Sequence, residues 1–375
     1  MTDSLIHPTR AIVHLDALTH NLDVVRSCVG PKAEILAVVK AEAYGHGMIP
    51  VARYVLGHGA SMLGVARIQE SRALREAGVS APTLVFEVCP QEFLPTAVRA
   101  GIDLTVVSVA GGEQISAVAK QVGLKQRVQF KVDTGMSRLG FPFNEAVARI
   151  SSVCRLPGIE IAGIYSHFAT SEDPDQSFAL LQLERFNEVL HGLQKTGIEF
   201  PLRHMANSGA ILTLPQSHFD MVRPGIMMYG YPPGRAMLVT PALRPVLSLH
   251  SRVSMVKRVE AGTTVSYGRR FRAEAPTKIA TIPVGYADGY SRLLTNRGSV
   301  LIDGKKYPIA GTVCMDHLMV DVGPDSEIEP GVDVVLIGSS GSESISGWDI
   351  AALMGTIPYE VTCLITPRVV RLYKD

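Results

Sequence analysis

The sequence is short of charge. Of 375 residues only 19% are charged, and 36 lysines and arginines against 35 acids leave a formal net charge of +1. That balance gives no electrostatic footprint for nucleic acid or for an anionic membrane surface. Cysteines are few and scattered: Cys28, Cys89, Cys154, Cys314 and Cys363 show no metal-ligand spacing, and their odd count does not suit a disulfide frame. They read as reduced thiols of a cytoplasmic protein, and no metal site is expected. The opening Met-Thr-Asp-Ser-Leu-Ile-His-Pro has no basic region followed by an apolar stretch, so no signal peptide is visible. Uninterrupted apolar runs long enough to span a bilayer are missing too.

Apolar residues, by contrast, make up 46% of the chain, and its 375 residues are enough for one large domain and a smaller one, or for two comparable ones. Residues 11–15 read as a short strand, with Asp16 as N-cap of a helix over 17–29. Short apolar runs then recur at 35–40, 61–66, 81–87, 102–108, 127–133, 159–166, 202–206 and 219–222. Helical patterns lie between them, the clearest over 177–194 with Leu183, Phe186, Val189, Leu190 and Leu193 on one stripe. Eight strands alternating with helices most simply close as a (β/α)8 TIM-type barrel. A doubly wound sheet competes, but no Gly-x-Gly-x-x-Gly turn follows the first strand.

Near residue 240 the texture changes. Period-two alternation begins at Leu247, a hairpin with an Asp303-Gly304 turn is expected over 299–309, and further strands over 332–337 and 361–370. One helix is expected near 348–354. The fold class is therefore α/β: a barrel domain over 1–240, and a mainly β domain over 241–375 with which the first short strand packs.

Barrels place their chemistry at the C-terminal ends of the strands. Lys40 ends one such run; low-dielectric walls there make it a candidate amine nucleophile or base, against the plainer reading of a lysine snorkelling from a strand end. Lys131, Arg138, His167, His204 and Arg223 stand at later strand ends. Ser208-Gly209 opening a helix, with the turn Pro224-Gly225-Ile226, puts backbone N–H groups and a hydroxyl at strands seven and eight. That arrangement suits a phosphate. A phosphate site together with a strand-end lysine suggests pyridoxal 5′-phosphate bound through Lys40.

Eight blocks in order across the chain resemble the alanine racemases, a fold-type III pyridoxal-phosphate family. They are Val39-Lys40-Ala-Glu-Ala-Tyr44-Gly-His-Gly, Lys131-Val-Asp-Thr-Gly-Met-Ser-Arg138-Leu-Gly, Ser166-His167-Phe-Ala-Thr, Arg223-Pro-Gly-Ile, Val265-Ser-Tyr267-Gly, Gly285-Tyr286-Ala-Asp-Gly-Tyr, Cys314-Met315-Asp316 and Ile357-Pro-Tyr359-Glu-Val. The resemblance implies a racemase interconverting L- and D-alanine by two bases, Lys40 on one face of the substrate Cα and Tyr267 of a neighbouring subunit on the other. A homodimer with shared active sites follows from it. His167 and the arginines would supply positive charge for a tyrosinate. Arg223 would face the pyridine nitrogen with His204 behind it. Arg138 would bind the cofactor's phenolic oxygen and the substrate carboxylate, supported by Lys131, which relatives often carry carbamylated. Tyr44, Ser208, Gly225, Ile226 and Tyr359 would hold the phosphate. Met315 would line the substrate pocket, with Asp316 in the same block, and Tyr286 and Arg292 resemble residues of the access corridor. D-alanine for peptidoglycan, or its degradation, is the implied role.

Racemases of the same build with broader or serine specificity, related decarboxylases, and non-catalytic barrel-only cofactor binders are the alternatives. An acid at the pyridine nitrogen would favour a decarboxylase, and Arg223 argues against it. Glu42, His317, Arg10, Ile12 and His14 depart from the family's usual residues. The departures bear on supporting hydrogen bonds and on the packing of the first strand.

Overall fold

Runs of buried apolar residues, each followed by an amphipathic helix, wind into a closed parallel barrel. The computed structural model describes residues 7–237 and 241–375. Residues 1–6 and 238–240, which contain the start and the expected end of the first domain, lie outside the described residues. The chain forms two compact units, one of residues 18–43 and 48–243, the other of residues 7–17, 44–47 and 244–375.

In the first unit the barrel strands are, in order, Glu34–Val38, Met62–Val65, Thr83–Val85, Asp103–Val106, Gln126–Asp133, Ile159–Tyr165, Arg203–His204 and Met221–Val222. Each pairs in parallel with the next. The last returns to the first with Met221 opposite Glu34, which closes the ring. Strands buried on both faces need apolar residues throughout, and Met62–Val65 is buried at every position. The helix expected over 177–194 spans Ser177–Lys195 and buries Leu183, Phe186, Val189 and Leu193.

The second unit is mainly β. Its large sheet runs in the order Lys305–Pro308, Ser299–Ile302, Asp333–Ser340, Leu247–Arg252, Arg10–His14, Val370–Lys374. Leu247, Val300, Leu301 and Leu336 are among its fully buried core residues. Ile302 faces Lys305 across the hairpin, and Asp303 and Gly304 both take positive φ, as a type I′ turn requires. The departures in the first strand are accommodated: Arg10 pairs with Asp333 at 3.3 Å, and His14 Nε2 lies 3.0 Å from Ser248 Oγ.

Three local expectations fail. The first helix starts at Leu15, so Asp16 sits in its first turn rather than at its cap. The segment expected as strand over 361–370 begins as a helix, Pro358–Cys363, and the strand comes later, at Val370–Lys374. Pro358 near the helix start outweighs the β-branched Val361 and Thr362, because its fixed φ suits a first turn. Lys40, finally, does not end its strand, which stops at Val38.

Candidate active site

Lys40 instead opens a turn that wraps the wrong way. Ala41, Glu42, Ala43 and Tyr44 all have φ between 51° and 55°. A left-handed turn costs L-residues roughly 1–2 kcal/mol per position, so it needs holding from outside. Glu70 does much of this. One carboxylate oxygen accepts from Ala41 N at 2.7 Å, and the other from Ala66 N at 2.7 Å and Arg67 N at 3.0 Å. Glu42 closes the far side by accepting from Met48 N at 3.2 Å.

Four cationic side chains converge at this end of the barrel. Burial first, then Arg138, Arg223 and Lys40, lower the Lys131 amine to about 7, with Asp133 alone pulling the other way. Lys131 and Arg138 line one small recess with Ser166 and His167. The loop carrying Arg138 is shaped by Asp133, whose Oδ1 accepts from Gly135 N at 2.9 Å and Ser137 N at 3.0 Å.

Arg223 is the most constrained of the four. Only 3% of it is exposed. Its Nη1 donates to His204 Nδ1 at 2.6 Å, and its Nη2 to the carbonyls of Ser166 at 2.7 Å and Met205 at 2.9 Å, with His167 Nδ1 at 3.2 Å. Burial, ahead of other effects, lowers it to about 10, which still leaves it charged at neutral pH. Its Nε–H makes no hydrogen bond with any described residue. Tyr165 forms a buried platform beneath the group: its ring stacks on His204 at 4.9 Å, with Lys131 Nζ and the Arg223 guanidinium carbon 5.4 and 5.3 Å from its centre.

Burial, then the neighbouring Arg223, Arg138, Lys131 and Lys40, hold the His167 imidazole well below its ordinary range in the cofactor-free chain. One expectation changes here: the Gly225 N–H is not open. It donates to Ser208 Oγ at 2.9 Å, as Met227 N does at 3.4 Å, leaving the hydroxyl proton of Ser208 to reach outward. Ile226 is buried beside them.

The remaining candidates belong to the second unit. Tyr44 and Tyr359 lie with ring centres 5.8 Å apart, and burial raises the Tyr44 phenol far above its ordinary value. Tyr267 is 72% exposed, yet its backbone is anchored: Thr312 Oγ1 donates to its carbonyl at 2.7 Å. Exposed Met315 and Tyr286 sit on one linked loop pair, with Tyr286 N donating to Cys314 O and Ala287 N to Met315 O. Asp316 binds Arg368 at 2.8 Å, and Arg292 is exposed at the start of a short helical turn. Sequence reading missed Glu70, and also Gln129 and Asp103, which lie behind His204. The signal for the last two was polar residues within barrel-strand runs.

Comparison with known proteins agrees across the whole chain. Residues 13–233 match the family model described as alanine racemase, N-terminal domain, and 246–373 the one described as alanine racemase, C-terminal domain. The chain is 43% identical to an alanine racemase of Desulforamulus reducens over 368 residues, covering 98% of this chain and 99% of that one. Among solved structures it is similar to alanine racemase of Clostridium difficile 630 at TM-score 0.95 and 34% identity, covering 99% and 97% of the two chains. It is also similar to the Bacillus anthracis alanine racemase with bound L-Ala-P, at TM-score 0.93 and 35% identity, covering 99% and 96%.

Proposed function

The chain belongs to the alanine racemase family, an isomerase family, and from that premise we propose that it interconverts L- and D-alanine with pyridoxal 5′-phosphate in a cytoplasmic homodimer. One observation carries the cofactor reading. Lys40, Arg138 and Arg223 all act electrostatically on Lys131 at the barrel end, with Asp133 as the opposing carboxylate. Such a cluster suits a ligand bearing phosphate, phenolate and carboxylate groups. The unpartnered Nε–H of Arg223 suits a ring nitrogen as acceptor. The donors fit the group.

When bound, pyridoxal 5′-phosphate supplies an electron-accepting ring that acidifies the substrate's Cα–H. Lys40 would hold the cofactor and take or return the substrate Cα proton at Nζ on one face. Tyr267 of the neighbouring copy does so at Oη on the other; an anchored backbone with an exposed ring is what presentation to a second chain needs. Arg223, which stays protonated, would donate to the ring nitrogen of the bound group. Arg138 binds the phenolic oxygen and the substrate carboxylate. Ser208, Gly225 and Ile226 would hold the phosphate, with Tyr44 and Tyr359. Met315 limits the pocket to a small side chain, with Tyr286 and Arg292 on the way in.

The test is conversion of L- to D-amino acid across alanine, serine and lysine with added cofactor. Alanine is expected to be turned over best. No D-alanine from a cofactor-loaded chain would refute the reading, and faster serine turnover would reassign the substrate.

A further inference from the structure

Behind Arg223 a line of polar side chains crosses the barrel interior. His204 Nε2 lies 2.7 Å from Gln129 Oε1, and Gln129 Nε2 lies 2.9 Å from Asp103 Oδ2. His204 and Gln129 are fully buried and Asp103 is 1% exposed. Asp103 begins the fourth strand, so the line runs from the catalytic end toward the opposite face. There Arg127 grips the carboxylate with two bonds, Nε at 2.7 Å and Nη2 at 3.2 Å, and also reaches Glu160 at 3.2 Å. A glycine makes room beside the amide: a Cβ at Gly163 would stand 2.8 Å from Leu202 O and 3.3 Å from Gln129 Oε1.

The two ends fix the direction of every bond between them. Arginine has only protons to give, and a carboxylate only lone pairs to receive them. His204 must therefore accept at Nδ1 and carry its proton on Nε2. Gln129 must accept with its oxygen and donate with its nitrogen, because the flipped amide would oppose donor to donor at His204 and acceptor to acceptor at Asp103. A doubly protonated His204 would face Arg223 with a second donor, which agrees with burial and Arg223 holding the ring well below its ordinary range. Tyr165, stacked within 5° of the ring plane, sets the plane of the imidazole but not its tautomer.

We propose that Gln129 and Asp103 are positioning residues: the middle link and anionic terminus of a one-way hydrogen-bond chain that fixes the His204 tautomer and so aims Arg223 at the cofactor ring. The aim of Arg223 rests on the function proposed above; the chain itself does not. An anion at the far end polarises each link toward itself, strengthening the His204 Nε2–H bond. The site is thus tied to an ion pair on the other face of the barrel.

The test uses the 15N-labelled full chain without cofactor. Its His204 Nε2–H resonance is identified by loss in His204→Gln. Asp103→Asn, which keeps shape and removes charge, is expected to move that resonance upfield although it lies two links away. Arg127→Met breaks the outer ion pair but leaves the chain intact, so the resonance should persist there even if stability falls. A His204 signal unmoved in Asp103→Asn overturns the proposal. If Asp103→Asn does not fold, Gln129→Met, which removes the acceptor at similar size, must cost the signal its hydrogen-bonded shift, and an unshifted signal overturns the proposal equally. With cofactor loaded, Asp103→Asn should shift the visible band of the bound cofactor and lower kcat about tenfold with KM little changed. A moved resonance with an unaltered band and kcat would overturn the aiming role. The cofactor-free arm decides the chain even if the wild-type protein failed to bind pyridoxal phosphate.

Discussion

Lys131 carries an amine that the fold makes easy to deprotonate. Its folded value is about 7 against an ordinary value of 10.5, burial being the largest cause. Between these two values the unfolded chain binds the extra proton, so stability of the cofactor-free protein rises with pH across that window. Below it both states are protonated, and the full penalty of a buried charge is felt. Lys131→Met should flatten the rise, stabilising the cofactor-free chain most at pH below about 7. Urea unfolding at both ends of the window checks this, and parallel profiles for the two proteins would contradict it. A neutral amine is also the form that reacts with carbon dioxide. For Tyr267 the expected sign is different: Tyr267→Phe should slow α-proton exchange from one enantiomer of alanine by roughly 10²–10⁴ and from the other far less. Deuterium uptake in heavy water reads both, and equal losses would count against two bases.

Among the elements, the turn after Lys40 shows where sequence reading stops. Ala-Glu-Ala-Tyr favours an ordinary helix by composition, yet four successive residues take positive φ. Only the surroundings dictate that conformation. Glu70 holds three backbone N–H groups from two segments, and nothing in sequence spacing joins residue 70 to residue 41. Glu70→Ala should cost about 1–3 kcal/mol by leaving those donors unmatched, and should weaken cofactor retention by displacing Lys40. Chemical unfolding together with cofactor release on dialysis checks it; wild-type stability and retention would remove Glu70 from this role. The next residues are clamped within the second unit. A Cβ on Gly45, at φ +85°, would lie 2.0 Å from Thr362 O, and Tyr373 Oη donates to His46 O at 3.0 Å. Residues 361–363, the end of the helix Pro358–Cys363 packed there, read from sequence as the start of a strand because Val361 and Thr362 favour strands, and tertiary packing overrides that preference.

At the scale of the whole chain, alternation of buried runs and helices was legible because parallel strands covered on both faces demand it. So was the switch to period two beyond residue 240, where Leu247–Arg252 and Asp333–Ser340 form antiparallel partners. The strand-end cations were legible as well, since apolar runs ending in basic residues stand out. Their mutual effect was not: that the Lys131 amine falls to about 7 and the His167 imidazole well below its ordinary range depends on distances that no spacing supplies. The chain through Gln129 was hidden for the same reason. The central claim joins a lysine of one copy to a tyrosine of another, and mixing inactive variants tests it most directly. Lys40→Ala and Tyr267→Phe chains, each inactive in racemisation alone, are unfolded, mixed in equal amounts and refolded with cofactor. About a quarter of wild-type activity should return, because half the dimers are mixed and each holds one intact site. No return of activity, with mixed dimers demonstrated by mass, would contradict the account.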